Sequence, residues 1–121
     1  MKAFLLAVCV TLLLIGGVIL TSALGIRRVD DYLDTLPEEN ASLKEAAEVL
    51  EELLERVRRD AHLVNLVFPH DRIDSLNAAI ARTAAAARAE EAGEYAIQRA
   101  ELESFLSDMR RDLRLDFWDI I

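Results

Sequence analysis

The chain has 121 residues, a formal net charge of −8, 53% hydrophobic residues and one cysteine. That length accommodates one small domain beside any membrane segment, and a lone cysteine excludes an intrachain disulfide. The acidic balance argues against a nucleic-acid surface, which needs clustered basic charge.

From Ala3 to Ile26 the sequence reads AFLLAVCVTLLLIGGVILTSALGI, with Thr11, Thr21 and Ser22 as its polar side chains. As a helix this run is about 36 Å long, enough to cross a ~30 Å hydrocarbon core with some tilt. Residues 1–26 are therefore expected to be an uncleaved transmembrane signal anchor. The competing reading is a secretory leader: Met1-Lys2 supplies a basic start and Thr21-Ser22-Ala23 a weak cleavage site. Cleavage after Ala23 would release a secreted soluble helical protein. The apolar run exceeds the ~7–15 residues usual for such leaders, which favours the anchor. Cys9 follows Leu6-Ala7-Val8, without the small residue that a lipoprotein site wants before its cysteine, and is read as a lipid-facing side chain. The amino end with Lys2 and the pair Arg27-Arg28 nearly balance as topology signals. The anchor-like leader, the aspartates at 30, 31 and 34, and the acidic remainder favour an extracytoplasmic C-terminal domain.

The following segment, 27–36, continues as a helical juxtamembrane stalk with Val29, Tyr32, Leu33 and Leu36 on one face. Pro37 suits the first turn of a new helix, with Glu38 and Glu39 near its positive dipole end; Asn40 or Ser42 is an alternative start. This second helix is expected to run to about Phe68. Leu43, Ala46, Leu50, Leu53, Val57, Val64 and Val67 form its apolar stripe, broken at Asp60 where an apolar residue was due. Pro69 ends it, and Asp71 is placed to cap a third helix over about 72–91. There the buried face is Ile73, Leu76, Ile80, Thr83, Ala84 and Ala87. Eight of the twelve residues from Ala78 to Ala89 are alanine, which suits a helix lying in a groove between larger neighbours. Gly93 is expected to break that helix. A fourth segment, from Glu94 to about Asp112, carries the stripe Tyr95, Leu102, Phe105, Leu106, Met109 and Leu113. Short connections at Pro69 and Gly93 favour antiparallel neighbours. The fold class expected is all-α: a transmembrane helix, then a small antiparallel three-helix bundle over 37–112, with an apolar C-terminal tail, 113–121, folded back on it.

Candidate sites are few. Phe117, Trp118, Ile120 and Ile121 form an apolar end that would be costly to expose, and are candidate interaction residues, packed on the bundle or docked on a partner or the membrane interface. The Ala-rich third helix is a second candidate contact surface. His62 and His70, with Asp71 and Asp74 nearby, fall short of the three or four close ligands of a zinc site, so capping and packing is the simpler reading. Arg110, Arg111 and Arg114 are countered by Asp108, Asp112 and Asp116. No phosphate loop or nucleophile motif occurs, so no catalytic residue, metal, cofactor, small-molecule substrate or nucleic acid is expected.

The stretch Phe68-Pro69-His70-Asp71-Arg72-Ile73-Asp74, followed by Ile80-Ala81-Arg82, resembles a family of small single-span proteins of Gram-positive, often spore-forming bacteria, known only as domain of unknown function 4363. His70, Ile73 and Asp74 match its motif, and the apolar end from Leu113 to Ile121 is similar too. The chain departs from the pattern at Leu63, where a tryptophan is common, and at Pro69, where a polar residue is usual. The resemblance implies an uncleaved anchor followed by a helical region, and no activity or cofactor. The function expected is that of a non-enzymatic interaction or scaffold module at the membrane surface, with an unidentified protein partner.

Overall fold

The computed structural model describes residues 1–38 and 40–120, the last five of these by backbone alone. The described residues form five helices and no strand: α1 (Lys2–Thr35), α2 (Leu43–Arg59), α3 (Ala61–Val64), α4 (His70–Arg88) and α5 (Ala92–Ile120).

Helix α1 is continuous from the apolar leader into the acidic region. Its polar side chains turn inward on the backbone: the hydroxyls of Thr11 and Thr21 donate to the carbonyls of Ala7 and Gly17 at 2.8 and 2.7 Å. Both hydroxyls are thereby satisfied within the helix itself. Among the described residues, α1 is the one helix long and apolar enough to cross a membrane, and its most apolar 18-residue window is 0% buried by the rest of the chain.

The C-terminal third of α1 behaves differently. Gly25, Val29 and Tyr32 are buried, as is Leu36 just past its end, with Ile26 and Leu33 packed against the core. The segment expected to be a stalk thus contributes side chains to the core. α2 adds Leu50, Leu53 and Val57, α4 adds Leu76 and Ile80, and α5 adds Leu102, Leu106 and Met109. α4 lies against both α2 and α5, and α5 also lies against α1. Ala79, Ala84, Ala86 and Ala87 are all buried, so α4 spends its small side chains on close approach to its two neighbours.

Helix limits differ from the sequence expectations in α2, α4 and α5. α2 starts at Leu43, not at Pro37; the alternative start at Ser42 holds, because the Ser42 hydroxyl accepts the Glu45 backbone N–H at 3.2 Å and caps it. It stops at Arg59, not Phe68; Asp60, the interruption in the apolar stripe, is the break, and α3 and a turn lead on to Pro69. α4 begins at His70 with Pro69 in the capping position and no side-chain cap, so Asp71 lies inside the first turn and only complements the helix dipole. Its end is set by Glu90, not Gly93. Glu90 has φ 58°, and the N–H groups of Glu90 and Glu91 donate to the carbonyls of Ala87 and Ala86, both at 3.1 Å. That pair of bonds is a Schellman ending, built here on a residue with a Cβ. Gly93 falls in the first turn of α5.

α5 then continues without a break through Asp112 to Ile120. The backbone of 113–120 is therefore a direct extension of the helix, not a segment folded back upon it.

Candidate functional site

Contacts from three separate segments meet at the end of the head where α1 leaves its apolar run. Gly25 has no side chain, and a Cβ there would stand 3.0 Å from Val67 Cγ1 and 3.2 Å from Leu113 Cδ1. Glycine lets α1 approach both the turn after α3 and the helix α5. One turn further, the Arg28 guanidinium lies 3.6 Å from Asp60 Oδ2, and the Tyr32 hydroxyl donates to the same oxygen at 2.7 Å. Burial, together with the neighbouring Asp60 carboxylate, pushes the Tyr32 hydroxyl well above the ordinary tyrosine range. Arg110 donates to Asp30 at 3.1 Å. At the far end of α1, Arg99 donates twice to the Pro37 carbonyl, at 2.8 and 2.6 Å, holding the loop before α2 on α5.

Beside Gly25 a groove of about 340 Å³ is lined by Val67, Phe68, Pro69, Arg72, Asp112, Leu113 and Leu115. Arg72 and Asp112 form an ion pair of 2.6 Å at its rim. Leu66, adjacent in the same turn, is 72% exposed, and Leu115 is 56% exposed. This end of the head combines uncovered apolar surface with paired charges.

The motif residues do not converge. Ile73 is buried in the core, whereas His70, Asp71 and Asp74 are exposed on the first turns of α4, and His62 is exposed on α3. Among the described residues no three His, Cys, Asp or Glu side chains are grouped so as to hold a metal ion. Cys9 is exposed within the apolar run. The side chains of Phe117, Trp118 and Ile120, and all of Ile121, lie outside the described residues.

Sequence reasoning missed the Tyr32–Asp60 pair and the groove beside Gly25. A signal for the first existed: an aspartate in the middle of an apolar stripe needs a partner. The second depends on how three segments meet and leaves no local trace. The chain matches no family model, no curated protein and no solved structure.

Proposed function

We propose that the protein is a single-pass membrane protein that holds a helical interaction module against one face of the bilayer. The observation that carries this reading is the exposure of the most apolar 18-residue window of α1, 0% buried by the rest of the chain, beside a head that has its own core. An uncovered apolar helix of that length is unfavourable in water and matched to lipid. The head is read as an antiparallel bundle of α2, α4 and α5, joined by the end of α1 as a fourth member. The residue pairs Asp30–Arg110 and Pro37–Arg99, which run in opposite senses along α1 and α5, support that arrangement. Attachment to the membrane raises the effective concentration of the module for partners in the same plane, without any catalytic step. The C-terminal domain is placed outside the cytoplasm, on the character of the leader and the acidic head. Kinship with domain of unknown function 4363 belongs to the same proposal and rests on His70, Ile73 and Asp74.

The test is the double substitution Leu13→Arg, Leu14→Arg. Two arginines near the bilayer centre should cost about 2.5–3.5 kcal/mol each in insertion free energy and release the chain from carbonate-washed membranes. Retention would contradict spanning. Mass measurement of the mature amino terminus separates the other reading: a chain recovered from the medium and starting near Leu24 is a secreted helical protein, and the anchor reading falls.

A further inference from the structure

We propose that the head does not stand away from the membrane but rests on it, with Leu66 and Leu115 seated in the headgroup layer of the bilayer that α1 spans. The proposal rests on the single-span reading above.

Three observations carry it. The first is position. Gly25 is the penultimate residue of the apolar run, just before Arg27 and Arg28. The run is about 6 Å longer than a ~30 Å hydrocarbon core, so Gly25 falls within the polar layer at the bilayer surface. Val67 and Leu113 touch the Gly25 position from two other segments. Leu66 neighbours Val67, and Leu115 lines the same groove as Val67 and Leu113. All of these residues stand at the height of the lipid headgroups.

The second is apolar exposure. The head has three exposed large apolar side chains among its described residues, Leu66, Ile97 and Leu115, and two of them belong to this end. α5 does not stop there. Its backbone runs five residues past Leu115, about 8 Å further on the same course. Those residues read Asp116-Phe117-Trp118-Asp119-Ile120, and tryptophan and phenylalanine are residue types that favour the membrane interface.

The third is charge. Residues 24–30, 60–76 and 107–120, which make the end near Gly25, carry six arginines and eight aspartates, close to balance. Residues 31–38, 40–59 and 77–106 carry seven basic and thirteen acidic residues. The more acidic part is the one that docking turns away from anionic lipid.

The experiment uses the full chain, with Cys9 replaced by alanine, in vesicles of phosphatidylethanolamine and phosphatidylglycerol. Single cysteines at positions 13, 48, 66 and 115 carry a fluorophore, and nitroxides are placed on the lipid at headgroup or mid-chain depth. Helical circular dichroism confirms that each labelled chain is folded. The expected result is that labels at 66 and 115 are quenched by the headgroup nitroxide at least about twofold more than the label at Glu48. The label at 13 answers to the mid-chain nitroxide. If 13 is quenched but 66 and 115 match 48, docking is refuted and spanning survives. If 66 and 115 escape lipid nitroxide and are also shielded from aqueous iodide, protein covers them and docking is refuted. If 13 is not quenched, the single-span reading fails and docking fails with it.

Discussion

The hydroxyl of Tyr32 donates a 2.7 Å hydrogen bond to Asp60 and thereby joins the long helix α1 to the break between α2 and α3. Tyr32 is 1% exposed, and the Asp60 side chain is 16% exposed. A hydrogen bond to a charged acceptor contributes about 1.5–3 kcal/mol, and Asp60 keeps Arg28 as a second neighbour when Tyr32 is changed. Tyr32→Phe should therefore destabilise the head by about 1.5 kcal/mol, lowering its melting temperature by roughly 6–12 °C. Thermal circular dichroism of the full chain in detergent checks this; an unchanged midpoint would mean that the bond contributes nothing.

The same tyrosine predicts an alkaline response. Burial and the Asp60 carboxylate raise its folded-state pKa, and burial raises that of Tyr95 as well. A raised folded pKa means that the folded chain keeps the phenol proton after the unfolded chain has lost it. Stability is then fully present below the ordinary tyrosine pKa of about 10 and declines as pH rises above it. Denaturant midpoints measured between pH 8 and 11 should fall at the alkaline end, and fall less in Tyr32→Phe. Identical slopes in the two proteins would exclude Tyr32 as a source.

Glu90 occupies a left-handed backbone position that is unfavourable for a residue with a Cβ by about 1–2 kcal/mol. Glycine carries no such penalty, although it loses more freedom on folding. Glu90→Gly should raise stability by about 1 kcal/mol with the Schellman bonds kept. Glu90→Val should lower it, since a β-branched side chain is least tolerant of that geometry. Opposite signs in a pair of thermal melts are the expected outcome.

These cases also show what the sequence made legible. The helical periodicity of α2, α4 and α5 is written in residues such as Leu50, Leu76 and Leu102, because each must face the core from a helix of fixed pitch. The break at Asp60 was visible as a missed apolar position, although its meaning required Tyr32 from another helix. The turn after α4 was misplaced at Gly93 because the bonding of Ala86 and Ala87 decides where a helix closes, and glycine is only the easiest residue to use there. Nothing after Gly93 is a helix breaker, so the extension of α5 through Ile120 needed no special cause. The surface around Leu66 and Leu115 was illegible. It exists only where Gly25 of α1, the turn after α3 and the C-terminal part of α5 come level.

That meeting point gives the last prediction. A Cβ on residue 25 would lie 3.0 Å from Val67 Cγ1, closer than most carbon contacts, and valine has little rotamer freedom with which to move aside. Gly25→Ala gains up to about 1 kcal/mol of helix propensity and loses a similar amount to crowding, so it should be nearly neutral. Gly25→Leu has no such offset and should destabilise the head by about 1–3 kcal/mol as α1 is pushed from Val67 and Leu113. Shortening the opposing side chain restores space: adding Val67→Ala to Gly25→Leu should recover part of the loss, with a coupling of at least about 0.5 kcal/mol between the two positions. Additive effects in a double-mutant cycle would show that α1 and the turn after α3 do not meet at Gly25. The position of the head along α1 would then have to be set by contacts elsewhere.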